Sequence, residues 1–543
     1  MTASELGRGR AWPRTLLPIV LLAGLALRLI QVTSEPLWTD EALTLLLARF
    51  SVEKLLFAPV DPTPGLYYSL FKVIVPPGAD ILAARLPSIV LGTASIFLVY
   101  LAGQLAMSQR AGLTAAALFA VSLPMIDYSQ EARAYSLLIF LVLLSMIGFL
   151  AWFGGIPNGR IRIGAIFGFA AATVLSFYTQ FTAVFWIVPI VMVGGEMTKR
   201  LGDARAQRLY LAAKIGMALF AVPELVRLYL RGTTFGGLGW LPNVDLQEFL
   251  ATVGDVLIPA GYWNGREPAL SIWSALALGL SVGLIAWRLA ARRSTLRESI
   301  TVEAVAVIVV LMTVPALVWL FGFVVTPIFM PRAILLAVPG FILLLALWAE
   351  VERKPWLAPL LVCVYAGSLL ITGTIRPREP WRSVARLLSG PAGRGEAIMI
   401  CPQWRGPSLR HALGASVKPS LYFMFDQRVM IMSPSMSGRD WEQNYLRAII
   451  RPIVDQGSGS SSAALGSRVV ATPAVFWIVE SECSPEQVQA RRQWLGAGVE
   501  RQMLDLPATP LHAGIRVLKF ESQARPRSVL IPSQVDTKSG AKP

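Results

Sequence analysis

Long, almost unbroken apolar runs occupy the first 375 positions, and neither the strict alternation of a half-buried strand nor the narrow stripe of a surface helix describes them. A helix crossing a hydrocarbon core of roughly 30 Å needs about 20 mostly apolar residues. Runs near that length recur at 15–33, 83–103, 111–126, 134–153, 163–179, 180–196, 209–229, 269–290, 302–321, 333–349 and 355–374. The pattern predicts an α-helical polytopic membrane protein with about eleven transmembrane helices. With the N-terminus inside, alternate connections hold Arg8, Arg10 and Arg14; Arg110; Arg160 and Arg162; Lys199, Arg200, Arg205 and Arg208; Arg288, Arg292, Arg293 and Arg297; and Arg353 with Lys354. These are the cytoplasmic loops by the positive-inside rule. The first run lacks a small-residue cleavage site and reads as a retained anchor. An odd number of spans then puts the last 168 residues outside the cytoplasm, with the connections 34–82 and 230–268 on the same side.

After residue 375 the period changes. Helix-like WRSVARLL is followed by strand-like AIMICPQW and RVMIMS, helix-like WEQNYLRAII, strand-like AVFWIVES and helix-like SPEQVQARRQWL, the signature of an exported α/β domain. Ser484, Pro485 and Gln487 fit an N-cap, a first helical position and a capping box. GSGSSS at 457–462 reads as a flexible loop and the chain after about Ser522 as disordered. The organisation expected is a membrane domain over 1–375, an α/β domain over 376–521 and a disordered tail over 522–543. Cys401 and Cys483 both fall in the exported part, where a disulfide and two unpaired thiols are equally open, while Cys363 lies in the last apolar run.

Composition agrees with this division. Of 543 residues, 55% are apolar and only 15% charged, too few charges for a soluble enzyme of ordinary composition, and three cysteines cannot staple such a chain. The net charge of +16 would suggest nucleic acid on a soluble protein. Residues 1–375 carry 27 Lys/Arg against 20 Asp/Glu, net +7, explained by topology. The remainder carries 22 against 13, net +9, for which anionic lipid or glycan at the outer surface, and not nucleic acid, is the partner expected.

The informative charges are few and gather on the outer side. EPLWTDEALTLLLARF puts Asp40 and Glu41 at the start of an amphipathic helix, where carboxylates also favour the helix dipole. DPTPGLYYSLFKVIVPP holds Asp61 in a proline-rich turn before Tyr67 and Tyr68, which would equally suit an interfacial helix. Arg85 opens the second span, where snorkelling to headgroups is the plain alternative. DYSQEARAYSLLIF carries Asp127, Glu131, Arg133 and Tyr135 between the third and fourth spans, as a solvated turn with an internal ion pair would. Arg332 stands between prolines at the mouth of the tenth span, and Arg28 lies one turn inside the outer end of the first.

Taken in order, DEA after the first span, D-x-T-P-x-L-Y-Y, A-R-L-P-S, S-Q-E-A-R-x-Y and P-x-F-x-P-R resemble the GT-C superfamily of membrane glycosyltransferases that use polyprenyl-phosphate sugars. That superfamily includes the protein mannosyltransferases, the aminoarabinose transferases of lipid A and the RgtA/B/C/D-like group. The resemblance spans roughly residues 15–350, and E-P-W-R-S-V-A-R-L-L at 379–388 is similar to the helix opening the exported domain of many members. It implies a donor of polyprenyl-phosphate-linked sugar, a glycan, lipid or protein acceptor, and a site at the outer face of a bacterial inner membrane. The catalytic base would be Asp40, with Glu41 beside it. Arg85, Arg133 and Arg332, with Tyr67 and Tyr68, would hold the donor phosphate, since guanidinium binds phosphate in a bidentate fork and stays charged near lipid. Asp61 and Glu131 are the candidates for an acceptor or cation site.

The chain departs from the family pattern at Gly65, where a second proline is usual, at Thr63, where histidine is frequent, and at Ala333, where a tyrosine often follows the arginine. The only histidines are His411 and His512, both in the tail, so a histidine-ligated metal in the membrane domain is disfavoured, while a divalent cation held by carboxylates alone stays open. A transporter or lipid-carrier flippase is the competing class. Transporters place ionisable groups near the bilayer midplane and commonly show repeated halves. A scaffold whose tail binds an anionic polymer would leave the acidic loop unexplained, and no Walker A motif for ATP-driven transport is present.

Overall fold

A computed structural model describes residues 16–57, 61, 63–154, 159–235, 243–258, 268–371, 379–402, 405–414, 420–425, 428–432, 467–471, 473–481, 483–507, 514–523 and 528–532. The chain forms two compact units, one made of 1–32 and 48–376, the other of 33–47 and 377–543. The segment 33–47, adjacent in sequence to the membrane helices, therefore folds with the C-terminal residues.

Helices run in chain order as α1 (Leu16–Leu29), α2 (Thr39–Leu47), α3 (Val52–Phe57), α4 (Leu66–Ile74), α5 (Ile81–Ala106), α6 (Gln109–Ala120), α7 (Leu123–Asp127), α8 (Tyr135–Phe153), α9 (Gly159–Phe177), α10 (Val184–Arg200), α11 (Ala204–Phe235), α12 (Leu246–Leu257), α13 (Pro268–Ala291), α14 (Arg293–Ser299), α15 (Val302–Val324), α16 (Ala337–Glu352) and α17 (Leu357–Ile371). Each of the eleven apolar runs coincides with one of these helices or with the bent pair α6 and α7, so the helical class expected from the pattern is what forms. The number of spans expected, about eleven, is not confirmed. Among the described residues five helices are long and apolar enough to cross a bilayer, or seven if the two bent pairs each count once.

Within the first unit α5 packs on α6 and α8, and α8 on α9. Burial separates a core helix from a peripheral one: 83% of the apolar window of α8 is buried, against 17% of that of α11. The α5–α6 approach depends on Gly103 and Gly112, because a Cβ on Gly103 would lie 2.8 Å from Gly112 Cα. Such small residues bring membrane helices together where no hydrophobic force separates helix from lipid. Side chains of Asp80, Ser108 and Thr301 cap α5, α6 and α15 by accepting first-turn N–H groups. A 65° bend divides α6 from α7. Arg28 fills it, buried, donating to Gly24 O (3.0 Å), Ala120 O (3.3 Å), Met125 O (3.5 Å) and Ser129 Oγ (3.1 Å), which satisfies carbonyls that the break releases.

The second unit adds α18 (Trp381–Gly393), α19 (Gly406–Leu413) and α20 (Pro485–Leu495) to strands β1 (Ala397–Cys401), β2 (Ser420–Phe425), β3 (Arg428–Met432), β4 (Ser467–Ala471), β5 (Val475–Glu480), β6 (Gly498–Leu506), β7 (Ile515–Ser522) and β8 (Ser528–Pro532). Six strands form one sheet in the order β3-β2-β1-β5-β7-β6, with β1 parallel to β2 and β5 and the outer pairings antiparallel. Continuous apolar runs mark the buried parallel centre, Ile398, Met399, Ile400, Ile478 and Val479. Cys401 at the end of β1 forms a disulfide with Cys483, 82 positions later and just before α20. The Ser484–Gln487 capping box opens α20 as expected. The expected strands and helices over WRSVARLL, AIMIC, RVMIM, AVFWIVE and SPEQVQARRQWL are all present, while WEQNYLRAII and the GSGSSS stretch lie outside the described residues. The disorder expected beyond about Ser522 gives way at Ser528–Pro532, where the apolar run Val529, Leu530 and Ile531 pairs antiparallel with β4.

Candidate functional site

In the first unit, residues from two separate connections and from α4 meet in one hydrogen-bonded cluster. Asp61 Oδ1 accepts from Thr63 N–H (2.8 Å), which folds the proline-rich turn back on itself. Gly65 follows, and the approach there leaves no room for a side chain: a Cβ would lie 1.8 Å from Leu55 O of α3. Beyond it α4 presents two buried tyrosines from its first turn. The Tyr68 hydroxyl donates to Asp61 Oδ1 (2.9 Å) and accepts from Arg133 Nη1 (2.8 Å), while Arg133 Nη2 donates to Thr63 Oγ1 (3.3 Å). Thr63 thus supplies a hydroxyl acceptor where histidine is frequent. Burial, the largest cause, holds the Tyr68 phenol well above its ordinary pKa, so it stays a hydroxyl able to donate and accept at once.

Tyr67 turns the other way, its hydroxyl 2.9 Å from Ser88 Oγ on α5, and Ser88 Oγ donates to Arg133 O (3.3 Å). Arg85, one turn earlier on α5, is completely buried, and its Nη1 donates to Val32 O. Snorkelling is therefore not its state. Asp127, Glu131 and Arg133 are likewise buried, so the connection between α7 and α8 is not the solvated turn its composition suggests. Arg332 stands on a separate 3-10 turn, Pro331–Ala333, half-buried, with Nε 2.8 Å from Met330 Sδ.

The acidic pair belongs to the second unit. Both carboxylates lie in the first turn of α2, as the helix-start pattern predicts. Glu41 is buried and its Oε2 accepts from Trp38 N–H (3.3 Å), a local cap, whereas Asp40 is half-buried. The two members of the pair therefore differ in surroundings. Among the described residues no group of three or more His, Cys, Asp and Glu side chains comes together in a way that could hold a metal ion.

Known structures resemble this chain across much of its length. ArnT of Cupriavidus metallidurans, bound to undecaprenyl phosphate, aligns over 93% of this chain and 98% of its own at 11% identity and a TM-score of 0.45. The oligosaccharyltransferase of Archaeoglobus fulgidus, complexed with zinc and sulfate, aligns over 73% of this chain at 14% identity and a TM-score of 0.47. The S. cerevisiae protein O-mannosyltransferase Pmt1–Pmt2 complex, bound to its sugar donor, aligns over 46% at 16% identity and a TM-score of 0.33. The chain spans 61% of the length of the oligosaccharyltransferase and 36% of that of the yeast chain. No family model matches the sequence, and no curated protein does. At such identities and scores the function has to be argued from the chain's own residues.

Sequence reasoning missed one member of the cluster. Arg227 Nη1 donates to Asp61 O (2.9 Å), and its guanidinium forms a two-point ion pair with Glu224 on the same helix, 2.7 Å at each contact and both side chains buried. The signal was present as E-L-V-R inside the apolar stretch AVPELVRLYL, since a charged pair within a span is costly and marks a function or a fixed geometry.

Proposed function

We propose that this chain is an inverting glycosyltransferase that moves a sugar from a polyprenyl phosphate to an acceptor at the outer face of the membrane. The observation that carries the reading is the cluster of Asp61, Thr63, Tyr68 and Arg133: side chains singled out by separate motifs are bonded to one another, Tyr68 and Arg133 buried and Asp61 and Thr63 half-buried, and are of the kinds that bind phosphate and orient hydroxyls. In the reaction, Asp40 takes the proton of the acceptor as its oxygen attacks the anomeric carbon. The bond from that carbon to the phosphate oxygen breaks, and its electrons leave with the polyprenyl phosphate. Arg85, Arg133 and Arg332 hold the charge that develops there, by electrostatic stabilisation of the leaving group. Tyr67 and Tyr68 orient the phosphate, and Asp61 with Glu131 serves acceptor or cation. The disulfide supports an oxidising compartment for the second unit, hence a multi-pass protein with its N-terminus in the cytoplasm and its C-terminal domain outside.

A flippase would also carry ionisable groups within its helices, and Arg28, Glu224 and Arg227 are such groups. Arg28 is satisfied by helix-break carbonyls and Ser129, and Glu224 with Arg227 by each other and the Asp61 loop, which favours fixed architecture over a moving site. The test is transfer by the purified chain from a panel of radiolabelled polyprenyl-phosphate sugars, beside Arg85→Ala and Arg133→Ala. Transfer from one donor, lost in both variants, is the expected result. Absence of transfer with every donor, together with donor translocation in vesicles, would favour the flippase. A reporter fused after Pro543 should be active outside the cytoplasm.

A further inference from the structure

The second unit contains a polar clamp that the proposed chemistry does not yet use. Glu379, just before α18, is buried and takes four donors: Arg405 Nη1, Trp381 Nε1 (2.7 Å), Thr39 N–H (3.2 Å) and Thr39 Oγ1 (3.0 Å). Thr39 Oγ1 also accepts from Arg405 Nη1 (2.8 Å), and Ser408 Oγ lies 3.5 Å away. Arg382 Nη2 donates to Thr33 O (2.9 Å), fastening the same segment at its other end, and α19 packs on α2. Glu379 thereby caps, from 340 positions away, an N–H that the start of α2 leaves without an intrahelical partner.

A carboxylate has about four lone-pair sites, and here four donors converge on it, three at Oε2 and one at Oε1. Buried ion pairs are a poor source of net stability, so four donors converging on one carboxylate are better explained by the geometry they fix. What they fix is Thr39, whose chain neighbour is Asp40. We infer that Glu379, Arg405 and Thr39 are positioning residues that orient the first turn of α2, so that the C-terminal domain sets the direction of the catalytic carboxylate. The inference rests on the assignment of Asp40 as base. It gives the C-terminal domain a part in the reaction that does not require it to bind acceptor.

The experiment uses the full chain purified in detergent, with Thr39→Val, Thr39→Ser, Glu379→Gln and Asp40→Asn. Steady-state transfer gives kcat and the donor KM, and hydrogen exchange reports on peptides covering 33–47. Thr39→Val is isosteric and removes only the shared hydroxyl. It and Glu379→Gln should lower kcat by about ten- to a hundredfold, as a displacement near 1 Å does, with donor KM unchanged. Exchange over 33–47 should rise in both, and Thr39→Ser should restore wild-type kcat. Unchanged exchange in Glu379→Gln and Thr39→Val would overturn the clamp. Raised exchange with wild-type kcat, or a kcat loss matched by a loss of folded protein, would overturn its positioning role. Full activity in Asp40→Asn would instead overturn the base assignment, and the exchange measurement, which needs no turnover, keeps the two failures apart.

Discussion

The two buried polar networks join their opposite charges differently. In the first unit a phenol hydroxyl stands between the Asp61 carboxylate and the Arg133 guanidinium. In the second, Glu379 and Arg405 bond directly, as Glu224 and Arg227 do beside Asp61. Coulomb attraction falls with separation, so Asp61 and Arg133 attract each other less than two directly bonded charges do. The difference is one of geometry, a pair relayed through a hydroxyl in one network and directly bonded pairs in the other. It also shows that sequence neighbourhood is a poor guide to function, since the acidic helix is held by residues more than 300 positions away.

The sharpest way to break this comparison is Arg227→Ala, which strands Glu224 as an uncompensated buried charge. A loss of about 3–5 kcal/mol in thermal or denaturant unfolding is expected, against a smaller loss in the double variant Glu224→Gln/Arg227→Gln. Equal losses would mean that the direct pair is not architectural. Removing the disulfide by Cys401→Ser and Cys483→Ser should cost about 2–5 kcal/mol, read as a lower unfolding midpoint of the second unit with the first unaffected. Tyr68→Phe removes the relay alone. A penalty of about 1–3 kcal/mol in transition-state binding is expected, measured as reduced kcat/KM, with little change in folding. A wild-type kcat/KM would remove the relay from the site.

The smallest effect concerns pH. Glu396 is held below the usual carboxylate range, first by the Trp477 indole N–H (2.7 Å) and then by Arg394. A depressed carboxylate stabilises the fold above its ordinary pKa of 4.5, and that contribution fades as pH falls through the lowered value. Trp477→Phe should therefore flatten the acid side of the stability curve, followed as unfolding midpoint against pH. An unchanged acid limb would contradict the assignment.

How much of this was readable in advance depends on the distance over which each contact acts. Apolar runs marked every membrane-domain helix that they overlapped, because hydrophobic length is a local property. Short motifs identified Asp61, Tyr68 and Arg133 individually. That Tyr68 joins the other two, while Tyr67 turns to Ser88, depends on the rotation of α4, which no composition reveals. For Arg85 the sequence leaves snorkelling open as the alternative, because its acceptor, Val32 O, is a backbone group 53 positions away. The edge strand β6 escaped notice because its exposed residues, among them Glu500, Arg501 and Gln502, lack the apolar run of the central strands. The clamp was invisible for the plainest reason: Glu379 and Thr39 become neighbours only in the fold.

The most direct test of the central claim compares wild type with Asp40→Asn for transfer of labelled sugar from the preferred polyprenyl-phosphate donor. Wild type should transfer sugar, and the asparagine variant should retain its fold and donor binding while losing about a hundred- to ten-thousandfold in kcat, the usual contribution of a general base. Equal rates in the two proteins would contradict the account.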